Sequence, residues 1–257
     1  MCQNYSNQTN YLHITQQTIM KDLFGRAILD YQTNNSPQDL ITETTISEED
    51  EMSVAYLFRE YDSMPLIEQK ALAMSYGKIL DVGAGAGSHS LYLQNERNLD
   101  VTAIDISQLA IETCALRGIK NTAVADILTW KSETYDTVLL LMNGTGIFGT
   151  LEKTSLFLKK LRSLLKPNGQ ILIDSSDIIY MFDQDEDGSY SVPAGTYYGE
   201  LEFTISYKGE KEESFPWLYL DYNTLQNIAI ANNLACELVT EGEHYDYLAR
   251  LNLLPPN

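Results

Sequence analysis

Hydrophobic positions divide the chain into a helical opening and an alternating remainder. From Thr18 to Tyr31, the apolar residues Met20, Leu23, Phe24, Ala27, Ile28 and Tyr31 recur at three- and four-residue steps, the period of one buried helix face. The polar stretch QTNNSPQDLITETTISEEDE follows and reads as a linker. Val54, Leu57, Phe58 and Tyr61 share one face of a second helix, and Pro65 suits the start of a third that Gly77 ends. Residues 1–75 are therefore expected to form an N-terminal helical cap.

From Lys78 the pattern changes. The short apolar runs KILDVG, VTAIDI, TAVADI, YDTVLLLM and GQILIDSS alternate with helical periods starting near Ser88 and covering Leu109 to Leu116 and Leu151 to Leu165. These runs are too apolar for a sheet with an open face, so a parallel sheet with helices on both sides is expected. Right-handed crossovers make it doubly wound, with ligands at the carboxyl ends of the strands. Residues 177–220 interrupt the alternation: YYGELEFTISYKGEKEESFPWLYLD reads as two strands joined by a glycine turn, a hairpin lid inserted over the ligand edge. A helix from Tyr222 to Asn233 and the strands ACELVTEG and YDYLARL complete a domain spanning residues 76–257.

Composition narrows the possible partners. A net charge of −19 opposes binding to nucleic acid or to an anionic membrane surface. No run approaches the ~20 apolar residues of a membrane span. Cys2, Cys114 and Cys236 are widely spaced and form neither a disulfide framework nor a metal pattern, which suits a cytoplasmic protein. The opening MCQNYSNQTNYLHITQQ lacks the basic start and apolar core of a signal peptide.

The candidate chemistry centres on ILDVGAGAGSHS. Gly83, Gly85 and Gly87 fall where a strand hands over to a helix, and glycine allows a sharp turn with close ligand approach. A dinucleotide fingerprint would need glycine where Ser88 stands, and no Lys or Arg between Ile79 and Glu96 can meet a pyrophosphate. The nearby charge is instead Asp81, which suits an ammonium. Asp105 ends the next strand 22 residues after Gly83, the distance expected of an acid on ribose hydroxyls. Asp126 falls near the end of the third strand. S-adenosylmethionine, with an ammonium, a sulfonium, a ribose diol and no phosphate, matches this set of charges.

ILDVGAGAG, VTAIDIS, VADI, YDTVLLLMN and LLKPNGQILID, in that order, resemble the motifs of the class I S-adenosylmethionine-dependent methyltransferases. The resemblance covers roughly Lys78 to Ser176; Asn168 stands where the family often has a second glycine. It implies an α/β fold: a doubly wound, seven-stranded, mostly parallel Rossmann-like methyltransferase sheet whose last strand, here YDYLARL, is antiparallel. It further implies that Gly83, Ala84, Gly85 and Gly87 line the methionine part of the cofactor and that Asp81 orients its amino group. Asp105 would hold the ribose, Ile106 would pack on adenine, and Asp126 with Ile127 would meet the adenine edge. Met142 and Asn143 would sit beside the sulfonium. The implied reaction is in-line methyl transfer to a small-molecule acceptor, leaving S-adenosylhomocysteine.

Other features compete for attention. GTGIFG, Gly144 to Gly149, satisfies a dinucleotide pattern but lacks the following acid and is expected to be a flexible loop by the acceptor pocket. DQDEDG, Asp183 to Gly188, opens like a calcium loop, but Ala194 stands where its final glutamate belongs, so no metal site is expected. His244 and Tyr198 are candidate catalytic groups, and Tyr197, Tyr198 and Glu200 are candidate acceptor contacts. His89 either touches the cofactor or packs; Arg59 or Tyr61 either covers the cofactor's carboxylate or packs. A nicotinamide oxidoreductase and a non-catalytic S-adenosylmethionine-binding protein remain as alternatives.

Overall fold

A computed structural model describes residues 21–131 and 133–254. Thr18 to Met20, Cys2, His13 and the opening segment lie outside the described residues. The central sheet is built from β3 (Lys78–Val82), β4 (Asp100–Asp105), β5 (Asn121–Val124), β6 (Tyr135–Leu140), β7 (Leu165–Ser176), β11 (Leu234–Glu241) and β12 (Asp246–Leu253). Its spatial order is β11-β12-β7-β6-β3-β4-β5. β12 runs antiparallel to both neighbours, while β7, β6, β3, β4 and β5 are parallel. The chain winds outward from β3 to β5, then returns to β6 on the other side of β3. That reversal opens a crevice at the carboxyl ends of β3 and β6.

Helices α3 (Ser88–Asn95), α4 (Gln108–Leu116), α5 (Leu151–Ser163) and α6 (Tyr222–Ala231) cover the sheet. Their starts are chemically marked: Ser107 Oγ accepts the Ala110 N–H at 2.9 Å, and Asp221 accepts that of Thr224 at 2.9 Å. One core joins Leu80, Ile104, Val138 and Ile171 to Phe157, Leu161 and Leu225; the opposite face buries Ile79, Leu139 and Leu172 under α2 (Leu66–Met74). Asn168 adopts φ 67, the left-handed turn its place in KPNGQ requires.

The cap differs from a purely helical one. α1 (Leu23–Thr33) and α2 form as the periodicity predicts, but Val54–Phe58 is a 3-10 turn followed by another at Tyr61–Ser63. The polar linker contains two strands, β1 (Leu40–Thr44) and β2 (Ser47–Met52). Here β1 pairs with β8 (Glu200–Tyr207) of the insertion, so a second sheet runs β10-β8-β1-β2 with β10 at Phe215–Leu218 and β9 (Glu210–Lys211) beside β8. The lid is thus part of a sheet shared with the cap rather than a free hairpin. Leu40, packed with Leu23, Ala27, Val54, Ile205 and Tyr207, anchors it. β2, SEEDEM, is almost wholly exposed, and its acids discourage further strand pairing at that edge.

GTGIFG is likewise not a loose loop. Gly144–Phe148 forms a 3-10 turn in which Gly144, Thr145, Gly146 and Phe148 are buried. A Cβ on Gly146 would lie 2.0 Å from Trp217 Cε2, so the indole requires glycine there. Gly146→Ala is expected to cost about 1–3 kcal/mol of stability, the usual range for overpacking. Urea denaturation checks this, and adding Trp217→Phe should restore part of the loss.

Candidate active site

The glycine turn leaves β3 with its backbone tied to β4: the N–H groups of Gly83 and Ala84 donate to Ile104 O at 2.9 and 3.1 Å. Gly85 and Gly87 hold φ 53 and φ 80, left-handed values costly to residues with a Cβ. Their surroundings differ. A Cβ on Gly87 would strike Ile119 and Cys114, whereas one on Gly85 would meet nothing within 4 Å. Gly87 serves packing, and Gly85 faces open space where a ligand can approach.

Asp105, at the end of β4, reads this turn directly. Its Oδ2 accepts the Gly85 N–H at 2.9 Å and its Oδ1 accepts that of Ser107 at 2.9 Å. Burial pushes its carboxyl above the usual range against those two bonds. Each oxygen keeps a lone pair for a further donor. Ile106 beside it is 66% exposed, an apolar platform at the sheet edge. Asp126 is exposed, with Oδ1 accepting the Leu128 N–H at 2.8 Å. The side chain of Ile127 is buried in the core, so only its backbone is free to meet a ligand.

Across the crevice, Met142 and Asn143 both take left-handed backbone, φ 66 and φ 59. A residue the motifs did not single out makes this possible. Asp174, at the end of β7 and 4% exposed, accepts the N–H groups of Met142 at 3.0 Å and Gly144 at 2.8 Å. Burial raises its carboxyl to about 7 despite those bonds. Asn143 is fixed by donating to Leu218 O at 3.3 Å and accepting from Ser175 Oγ at 2.9 Å.

Asp81 sits beneath the turn, accepting from Ser90 Oγ at 2.6 Å, and burial pushes its pKa up. It is 2% exposed, so its carboxylate engages α3 rather than the open side. His89 also points inward, 2.6 Å from Glu68, which is paired in turn with Arg59. Arg59 and His89 are thus both engaged with Glu68 on the wall of the crevice, and Tyr61 stacks on Tyr92 at 4.1 Å. One cation reaches the glycine turn from α4: Arg117 donates to Ala86 O at 2.5 Å and lies over the Phe58 ring.

The rings of Tyr197 and Tyr198 lie 4.6 Å apart, but each candidate acceptor residue is engaged within the chain. Tyr197 donates to Asp221 at 2.7 Å, Tyr198 donates to Asp177 at 2.8 Å, and Glu200 accepts the Leu151 N–H at the start of α5. Burial lifts both phenols well above their ordinary range, so neither titrates near neutrality. His244 lies exposed on the turn before β12, its backbone N–H bonded to Asp246. The structure instead opens a cleft of about 250 Å³ beside Met142 and Asn143, walled by Tyr56, Glu68, Asp174 and Asp246. A hollow of about 340 Å³ on the second sheet is lined by no residue of the seven-stranded sheet.

Fold and crevice define a Rossmann-like class whose nucleoside-binding edge carries acids rather than phosphate-binding cations. Residues 79–169 match a family model described as a methyltransferase domain. A solved structure of an S-adenosylmethionine-dependent methyltransferase from Bacteroides fragilis, in complex with S-adenosyl-L-homocysteine, is 46% identical. The alignment covers 91% of this chain and 96% of that one, with a TM-score of 0.84. The chain belongs to the S-adenosylmethionine-dependent methyltransferases. Two more distant structures share the fold. The CcbJ methyltransferase of Streptomyces caelestis has 12% identity, covering 78% of this chain and 98% of its own, at TM-score 0.55. The sugar N-methyltransferase KedS8 of a Streptoalloteichus species has 11%, covering 98% and 100%, at 0.52. No curated protein matches the sequence.

The protein is therefore an enzyme that transfers a methyl group from S-adenosylmethionine. The residues present suit that donor: Gly85 is open to approach, Asp105 has lone pairs to spare, and Ile106 offers an exposed apolar face. Neither the oxidoreductase nor the non-catalytic alternative gains support. Among the described residues, no helix is long and apolar enough to cross a membrane.

Proposed function

We propose that the enzyme methylates a small molecule, with the donor lying along the carboxyl edge from Asp126 to Met142 and the acceptor in the adjoining cleft. The observation that carries this reading is the Asp105 carboxylate, bonded to the Gly85 N–H at 2.9 Å beside an exposed Ile106. A carboxylate there suits ribose hydroxyls, and an exposed isoleucine suits a base. Gly83, Ala84 and Gly85 shape the methionine side while Gly87 packs the turn from behind, Asp126 and the Ile127 backbone face the adenine edge, and Met142 with Asn143 borders the sulfonium. Bound there, the donor supplies an activated methyl group. The chain's part is alignment and exclusion of water, which can contribute on the order of 7–11 kcal/mol.

The cleft's size supports a small acceptor, and a net charge of −19 weighs against a nucleic acid. Cytoplasmic residence accords with Cys114 and Cys236 being free thiols. Incubating the enzyme with methyl-tritiated donor and a cell extract tests the acceptor class. Label in the dialysable fraction supports the proposal; label confined to nucleic acid or protein contradicts it.

A further inference from the structure

The charges around the cleft do not balance, and the imbalance has a location. Glu68 is compensated twice, by Arg59 and by His89. Asp174 and Asp246, on the same cleft, belong to none of the ion pairs among the described residues. Asp174 is 4% exposed and accepts only backbone N–H groups. Asp246 is half-buried, with Oδ1 accepting the His244 N–H at 2.9 Å. Ser175 is neutral, and its hydroxyl is engaged with Asn143, Thr145 and the Leu220 N–H.

A carboxylate removed from water without a counter-ion is costly, and the cost is relieved when a cation arrives. The raised carboxyl of Asp174, at about 7, is the same deficit seen through its proton. Tyr56 lines the cleft and is 45% exposed, but the Arg59 guanidinium already lies 3.9 Å over its ring, so the attraction for a further cation falls to the two carboxylates. An acceptor carrying a carboxylate or phosphate would meet repulsion here, and a neutral alcohol would leave the deficit uncorrected.

We propose that the methyl acceptor is a small amine, drawn into this cleft as its ammonium ion by Asp246 and Asp174. The inference rests on the cleft being the acceptor site. The ammonium first releases one proton to Asp246, which is open enough to pass it to water. The freed nitrogen lone pair forms the N–C bond to the methyl carbon while the C–S bond breaks, its electron pair remaining on sulfur. The positive charge moves from sulfur to nitrogen, giving an N-methylammonium product, S-adenosylhomocysteine and one proton.

Matched acceptors test this: benzylamine, benzyl alcohol and benzoate, and glucosamine, glucose and glucuronate. Each is offered with S-adenosylmethionine while S-adenosylhomocysteine formation is followed. Only amines should be methylated. Asp246→Asn keeps an oxygen for the His244 N–H but removes the charge. It should lower kcat/KM for the amine about 10-fold or more, the lower range for losing one hydrogen bond between charged groups. Donor affinity, measured on the same preparations, should stay at its wild-type value. Methylation of an alcohol or carboxylate member, amine turnover unaffected by Asp246→Asn, or no amine turnover with intact donor binding would overturn the proposal. Loss of donor binding in the wild-type enzyme would instead overturn the reading of the cofactor site.

Discussion

Asp105→Ala is expected to weaken S-adenosylhomocysteine binding about 100-fold or more. The estimate takes two hydrogen bonds to a charged acceptor at about 1.5–3 kcal/mol each, of which part is recovered by water. The carboxylate also holds the Gly85 and Ser107 N–H groups, both at 2.9 Å, so its loss loosens the turn itself. Asp105→Asn separates the two effects. It keeps one acceptor oxygen and the side chain's shape, and should bind better than alanine but worse than wild type. Titration calorimetry on the three proteins reads the order directly, with thermal unfolding to show that each is folded. Equal affinity in all three would remove Asp105 from the site.

The largest stability effect is expected at Glu68. Its carboxylate lies between Arg59 and His89, with side-chain exposures of 4%, 5% and 11% respectively. Burial alone would raise the pKa of Glu68, but its bonds to His89 and Arg59 outweigh that and hold it low. Glu68→Ala leaves two buried basic groups without their counter-charge, Arg59 keeping its bond to Tyr56 O, and should cost about 3–5 kcal/mol, the usual loss when one member of a buried pair is removed. The cost should depend on pH. Burial lowers the pKa of His89, yet Glu68 raises it more, so the folded value lies above the ordinary 6.5. A raised histidine stabilises fully below its unfolded pKa, and the contribution fades as pH rises through the folded value. The gap between wild type and Glu68→Ala in urea denaturation should therefore be widest between about pH 4.5 and 6.5, shrinking in acid as Glu68 takes up a proton and in alkali as His89 loses one. A gap that widens toward high pH would contradict this assignment.

The central sheet was legible because its strands are apolar on both faces and its helices keep their period. KILDVG, VTAIDI and GQILIDSS became β3, β4 and β7 with parallel β3–β4 pairing and an antiparallel β12, as the motif order implied. The cap strands were not legible. LITET and SEEDEM are short and acidic, and β1 owes its existence to β8, where Ile41 pairs with Ser206 from far along the chain. GTGIFG reads as mobile because glycines usually are, whereas the indole of Trp217 requires glycine at 146 and the Leu140 side chain requires it at 144.

The site divides in the same way. Gly85 and Asp105 could be read from spacing, since consecutive strand ends bring them together, and Ile106 from the family resemblance. Ile127 could not: the motif marks the position but not that its side chain turns into the core. That Asp174 and Asp246 line the cleft is not legible in the sequence, because it depends on β7 and β12 lying side by side, with Tyr247 opposite Ser175. Glu68 lies 21 residues from His89, on a helix whose periodicity gives no hint of an inward-facing acid.

The most direct test of the central claim is a calorimetric titration of S-adenosylmethionine and S-adenosylhomocysteine into the purified protein, repeated with NADH. The predicted result is saturable binding of both sulfur nucleosides at one site per chain, and no heat or competition from NADH. NADH binding in their place would contradict the assignment of the glycine turn and return the dinucleotide reading to the front.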